Sequence, residues 1–81
     1  MLTSEQVRAA RALLRIEQTD LAERSGVSLP TIKRLEAKPG RLSAYGLTVS
    51  AIRRALEEAG VIFVEENGDG AGVRLRKTKV R

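Results

Sequence analysis

The side chains of this sequence that could do chemistry are cations and hydroxyls, because its 81 residues include neither histidine nor cysteine. Without thiolates or imidazoles the chain has no usual ligand set for zinc, and we expect no metal and no cofactor. Thr31, Lys33 and Arg34 form a polar and cationic cluster within one short segment. Fifteen Lys and Arg residues against ten Asp and Glu give a net charge of +5, which suits a polyanionic partner.

Residues 18–36 predict two short helices that meet at a sharp corner, and this unit must position the cluster. Gly26 marks the corner, since a residue without a Cβ readily adopts a positive φ. Ser28 stands where the second helix needs an N-cap. Ile32 and Leu35 share the face that packs on the first helix, which leaves the cluster facing outward. The pattern indicates a helix-turn-helix, whose second helix enters the DNA major groove.

The stretch resembles the family of lambdoid phage repressors and other Xre/Cro-like bacterial regulators. The resemblance implies a mainly α fold, with a five-helix lambda-repressor-like helix-turn-helix domain over residues 1–60. It also implies double-stranded DNA as the partner. The residues that carry the likeness at the family's spacing are Gln18, Leu21, Ala22, Gly26, Val27, Ser28, Ile32 and Glu36.

The family's register implies which residues contact DNA. Arg34 suits a bidentate contact to guanine, and Thr31 suits a hydrogen bond or a contact with a thymine methyl group. Leu29 and Pro30 depart from the family's polar pattern, so we expect DNA shape to supply part of the selectivity. The implied DNA-binding residues are Gln18, Ser28, Leu29, Pro30, Thr31, Lys33, Arg34, Lys38 and Arg41.

Three of these assignments carry an alternative or a second role. Lys38 and Arg41 flank a Pro-Gly turn, where cations also serve simply to keep a loop soluble. Gln18 is placed against a phosphate in the family, and it sometimes braces a side chain of the recognition helix. The family also implies an ion pair between Arg11 and Glu36 that clamps helix 1 to helix 3. A phosphate contact is the competing role for Arg11.

The remaining helices follow from caps and apolar spacing. Thr3 and Gln6 form a predicted capping box that starts helix 1, which runs to about Arg15. Either Glu17 or Thr19 caps helix 2, and the sequence does not decide between them. Helix 3 covers about residues 29–36.

Two further helices are expected before residue 60. Ser43 caps a short helix over residues 44–47, and Thr48 caps a fifth helix that runs to about Ala59. Gly60 stands where a helix C-terminus favours glycine. We interpret Tyr45 as partly buried packing, with a phenol beside a phosphate as the alternative.

Residues 61–77 predict a β-hairpin, because a β-branched and aromatic run precedes a Gly-rich turn and a strictly alternating strand. Val73 and Leu75 are expected to face inward. The first strand is apolar on both faces, and a lone two-stranded hairpin is marginally stable. Helices of the same chain can cover one face, and a second subunit can either pair with the free edge or cover the other face. We therefore predict a homodimer with a shared sheet, followed by a basic tail over residues 78–81. The expected dimerisation residues are Val61, Ile62, Phe63, Val64, Val73 and Leu75.

These observations predict a sequence-specific DNA-binding transcriptional regulator, most simply a repressor, that binds an inverted-repeat operator as a homodimer. The alternative is an antitoxin-type or accessory DNA-binding protein whose hairpin captures a protein partner. A protein-interaction module with a degenerate helix-turn-helix is a third hypothesis. An enzyme is the least favoured, since no catalytic constellation is present. With no long apolar run and no signal core, we expect a cytoplasmic, nucleoid-associated protein and no membrane partner.

Overall fold

The computed structural model describes residues 1–77, which form four α-helices followed by a two-stranded antiparallel sheet. None of these helices is long and apolar enough to cross a membrane. The predicted basic tail, residues 78–81, lies outside the described residues. The elements are α1 (Ser4–Leu14), α2 (Gln18–Ser25), α3 (Leu29–Ala37), α4 (Gly46–Glu58), β1 (Val61–Val64) and β2 (Gly72–Leu75).

The predicted capping box starts α1. The Thr3 hydroxyl accepts the Gln6 backbone N–H at 3.1 Å, and the Gln6 side-chain oxygen accepts the Thr3 backbone N–H at 3.0 Å. The helix ends at Arg15, which adopts the left-handed conformation with φ 57°. Two otherwise free N–H groups are thereby satisfied at the helix start, as the spacing predicts.

The prediction of five helices is wrong, since residues 1–77 contain four. Tyr45 is extended, with φ −65° and ψ 152°, and α4 begins at the next residue. Thr48 therefore lies inside the first turn of α4 and does not cap it. A separate helix over residues 44–47 would be a single turn, and the first turn of a helix is unfavourable to form. The expected partial burial of Tyr45 is also wrong, because its side chain is 88% exposed.

One hydrophobic core joins the helices to the hairpin. It draws side chains from all four helices, from β1 and from the segments on either side of α1 and α3. The sheet is therefore part of the packed structure and does not form a separate layer. The buried apolar residues are Leu2, Val7, Ala10, Leu21, Ile32, Leu35, Leu42, Ile52, Ala55, Leu56, Val61 and Phe63.

The hairpin pairs Val61 with Leu75 and Phe63 with Val73, across a loop over residues 65–71. These four side chains share the face that lies against the helices, and Val61 and Phe63 are buried there. The inward placement of Leu75 is wrong in part, since it is 51% exposed. The helices cover β1 but leave this end of β2 in solvent.

Candidate nucleic-acid interface

The corner between α2 and α3 is built as the sequence predicts. Gly26 has φ 75° and ends α2, with its N–H bonded to the Ala22 carbonyl at 2.9 Å. Ser28 caps α3, and its hydroxyl accepts the Thr31 backbone N–H at 3.4 Å. The same hydroxyl donates to the Thr31 hydroxyl at 2.9 Å. The cap therefore orients a proposed base-contacting side chain as well as starting the helix.

The two faces of α3 differ sharply in exposure. Ile32, Leu35 and Glu36 are buried against the other helices. Lys33 and Arg34 are exposed on the opposite face. The first turn presents Pro30 to solvent, while Leu29 and Thr31 are half-buried. The helix thus offers a mixed apolar and cationic surface.

Glu36 is the centre of a clamp between α1, α2 and α3. The Arg11 guanidinium donates from Nε to Glu36 Oε2 at 2.8 Å and from Nη2 to Oε1 at 2.6 Å. Its third nitrogen donates to the Ile16 carbonyl at 3.2 Å. The hydrogen bond with Glu36 is the main reason that the pKa of Arg11 is raised above its ordinary value. A carboxylate that would repel DNA is thereby turned inward and neutralised.

Gln18 belongs to this clamp. Its side-chain nitrogen donates to Glu36 Oε1 at 3.0 Å, so the first turn of α2 is joined to the end of α3. The helix start itself is capped by Glu17, whose backbone N–H is accepted by Asp20 Oδ2 at 2.9 Å. Gln18 is half-buried and braces α3, which is the second of the two roles that the resemblance implies for it.

The loop that carries Lys38 and Arg41 is fastened to the start of α1. The Ser4 N–H donates to the Gly40 carbonyl at 2.8 Å, and the Leu42 N–H donates to the Leu2 carbonyl at 3.0 Å. Both cations are exposed on this fastened segment. The loop therefore presents them from a fixed backbone.

Glu5 adds an ionised contact to the same loop. Its two carboxylate oxygens accept the Gly40 N–H at 3.1 and 3.2 Å. Its own backbone N–H, and then that of Gly40, lower the pKa of Glu5 below the ordinary glutamate value. The contact therefore favours the ionised carboxylate over the protonated one.

We expect this contact to weaken in acid. A carboxylate whose pKa is lower in the folded chain stabilises the fold above its unfolded pKa, about 4.3, and loses that stabilisation as the pH falls through the folded value. Glu5→Gln should therefore flatten the acid limb of stability against pH. Chemical denaturation of both proteins from neutral to acidic pH measures this. If wild type and Glu5→Gln lose stability in parallel as the pH falls, the assignment is wrong. Glu23→Gln, at an exposed position of α2, is the matched control.

A groove runs beside α3, and sequence reasoning did not foresee it. Arg34 lies on one side of it, and the residues that lead into α4 lie on the other. Tyr45 borders the groove with an exposed phenol, and no local pattern predicts this, because the position of α4 depends on long-range packing. The lining residues are Thr31, Arg34, Ser43, Ala44, Tyr45 and Thr48.

The cations of this surface keep their charge available. Within residues 1–77, Lys33, Arg34, Lys38 and Arg41 make no ion pair, whereas Arg11 and Arg53 do. The described residues also contain no group of acidic, His or Cys side chains that could hold a metal ion. The surface is therefore suited to an anion and not to a cation.

The arrangement defines a helix-turn-helix. Buried side chains fix α3 on one side, and the cations on its exposed side form no ion pair with any described residue. A comparison with protein families agrees, since the helix-turn-helix family model matches residues 7–45. The match spans most of α1, all of α2 and α3, and the loop to α4. Over this segment the chain matches the Xre/Cro-like helix-turn-helix family of DNA-binding regulators, which confirms the resemblance seen in the sequence. No curated protein matches the chain significantly.

Proposed function

We propose that the protein is a sequence-specific transcriptional repressor that binds an inverted-repeat operator as a homodimer. Each α3 would enter the major groove of one half-site, with half-site centres about 34 Å apart or a multiple of that distance. Repression would be steric, because a dimer seated on a promoter excludes polymerase. The operator would lie in chromosomal DNA, which makes the protein part of the nucleoid.

The observation that carries this proposal is the cationic surface of α3, whose charges are not neutralised by any described residue. The nearby Glu36 carboxylate is buried and paired with Arg11, so it does not face this surface. Arg34 is exposed and free of ion pairs within the described residues, so its guanidinium is available for the two acceptors of a guanine edge. Lys38 and Arg41 stand on the fastened loop, where they suit phosphates. Thr31 and Tyr45 line the adjoining groove.

The first experiment is a titration of the purified protein against DNA from its own upstream region. Random DNA serves as competitor, and the titration is repeated across salt concentrations. Specific binding predicts a discrete complex that survives the competitor, with log K falling by about 0.9 per neutralised phosphate for each unit of log salt. Equal and weak affinity for both DNAs would contradict the proposal.

Arg34→Ala should weaken binding to the specific DNA by about 10- to 100-fold and relax the preference at one base pair. A bidentate guanine contact is lost, whereas non-specific affinity should fall only by the effect of one charge. Arg54→Ala on the exposed side of α4 removes the same charge outside the proposed interface and is the matched control. Fluorescence anisotropy with single-base operator variants measures both effects. If the two variants lose affinity equally, Arg34 does not read a base.

A further inference from the structure

The first turn of α3 has few polar side chains with which to read bases. In a helix-turn-helix the N-terminal residues of the second helix contact the base edges. Here the first two of these residues are Leu29 and Pro30, whose side chains have no hydrogen-bond donor or acceptor. Pro30 is exposed, and it also lacks a backbone N–H. The N-terminal end of the helix therefore presents an apolar surface.

Packing within the chain does not account for Leu29. Among the described residues, the apolar side chains that lie partly buried against the core include Val27 but not Leu29. Ile32 and Leu35 supply the buried apolar face of α3. Leu29 is half-buried at the start of the helix without joining that core. Its side chain is therefore available to a partner.

Thr31 is the one polar side chain of this turn, and its hydroxyl is already bonded. Ser28 Oγ donates to Thr31 Oγ1 at 2.9 Å and accepts the Thr31 backbone N–H at 3.4 Å. These bonds hold the Thr31 hydroxyl at the cap. Hydrogen-bond reading by side chains of the first turn is therefore limited to one hydroxyl, and Arg34 lies one turn further along α3.

An apolar surface discriminates among bases in the major groove. The C5-methyl group of thymine is the apolar group that base pairs present there, whereas adenine, guanine and cytosine present donors and acceptors. Covering a polar edge with Leu29 or Pro30 would leave its donor or acceptor unpaired and out of water, which is unfavourable. Covering a methyl group removes apolar surface from water, which is favourable.

We propose that Leu29 and Pro30 select thymine in each half-site by contact with its C5-methyl group. The inference rests on the proposed function and names the base that the first turn reads. Pro30 and Arg34 are four positions apart and share one face of α3. They are therefore about 6 Å apart along the helix axis. Bases stack about 3.4 Å apart, so the thymine lies within about two base pairs of the guanine that Arg34 contacts.

Deletion of the methyl group tests the contact. The full chain first selects its preferred duplexes from a random library, and the enriched half-site should contain thymine beside or near guanine. Replacing that thymine with deoxyuridine removes the methyl group and keeps the O4 acceptor. The Kd, measured by fluorescence anisotropy, should rise about threefold to fivefold for one methyl group. An unchanged Kd after replacement of every thymine in the half-site would overturn the inference.

5-Methylcytosine separates the methyl group from the rest of the thymine edge. At the same position it carries a C5-methyl group but presents an N4 donor in place of the O4 acceptor. A duplex with 5-methylcytosine should therefore bind about threefold to fivefold more tightly than the same duplex with cytosine. Equal affinity for these two duplexes would assign the thymine preference to O4 and overturn the methyl contact.

Protein variants test whether the first turn makes the contact. Leu29→Gln introduces an amide that can pair with adenine, so it should lose sensitivity to deoxyuridine and shift the preferred base toward adenine. Its thermal unfolding should stay close to that of wild type, because Leu29 lies outside the core. Leu13→Gln makes the same change at an exposed position of α1 and should keep the sensitivity. Full sensitivity in both Leu29→Gln and Pro30→Ala would overturn the assignment to these residues.

The proposed function and this inference can fail separately. A chain that selects a specific operator, with a preference that depends on Arg34, but is indifferent to the methyl groups would overturn the inference alone. A chain that enriches no sequence from the library would overturn the proposed function and the inference together.

Discussion

Glu36→Ala should lower the free energy of unfolding by about 3 kcal/mol. The change removes the two carboxylate acceptors of the Arg11 guanidinium and the acceptor of the Gln18 amide, and it leaves Arg11 with only the Ile16 carbonyl. The Arg11 side chain is only 19% exposed, so its charge would remain largely out of water without a counter-ion. Denaturant unfolding followed by circular dichroism measures the loss.

The control for this prediction is the Arg53–Glu57 ion pair, which is more exposed to solvent. Glu57 accepts from Arg53 at 3.1 Å, but its side chain is 42% exposed, so Glu57→Ala should cost no more than about 1 kcal/mol. The double variant Arg11→Met with Glu36→Leu should recover much of the lost stability, because no charge then stays buried. If Glu36→Ala is as mild as Glu57→Ala, the clamp contributes little to folding.

Gln6 is the second residue at which a large effect is expected. It is 4% exposed, and its side-chain nitrogen donates to the carbonyl oxygens of Gly72 at 3.0 Å and Val64 at 3.4 Å. Gln6→Leu keeps the volume but removes these bonds and half of the capping box. The free energy of unfolding should fall by about 2 to 3 kcal/mol. Hydrogen exchange should accelerate most in β1 and β2, since the variant releases the hairpin from α1.

Two other variants separate the roles of this side chain. Thr3→Ala removes only the hydroxyl of the cap and should cost about 1 kcal/mol, with no selective loss of protection in the hairpin. Gln6→Glu can still accept the Thr3 N–H, but its ionised form cannot donate to the strand carbonyls. It should therefore resemble Gln6→Leu in the hairpin and wild type at the cap. Uniform exchange across the chain in all three variants would refute the anchoring role.

The elements that the sequence predicts correctly depend on local spacing. The Thr3–Gln6 box, the Gly26 corner and the Ser28 cap each involve residues within a few positions of one another, and their geometry needs little from the rest of the chain. The hairpin is also predictable, because its alternation and Gly-rich turn are local. The Arg11–Glu36 pair came from the family resemblance and not from any local pattern.

The features that sequence reasoning missed depend on distant parts of the chain. The sequence predicts Gln6 as a capping residue, and no neighbouring residue indicates that its side-chain nitrogen donates to the Gly72 carbonyl. Tyr45 is interpreted from the sequence as partly buried packing, with a phenol beside a phosphate as the alternative, whereas the direct start of α4 leaves it in solvent. The hydrogen bond from the Gly40 N–H to the Glu5 carboxylate likewise depends on the loop after α3, which packs against the start of α1. None of these contacts has a spacing that a sequence pattern could reveal.

The anchoring of the hairpin by Gln6 also bears on synthesis at the ribosome. Gln6 and Gly72, which form this contact, are 66 positions apart in the sequence. Leu2 and Val7 lie in the same core as Val61 and Phe63. A nascent chain that has completed all four helices still lacks the strands that cover this apolar surface. This part of the core can therefore close only after β1 has emerged, and the Gln6 contact with Gly72 can form only after β2 follows; until then the growing chain exposes the surface to chaperones and proteases.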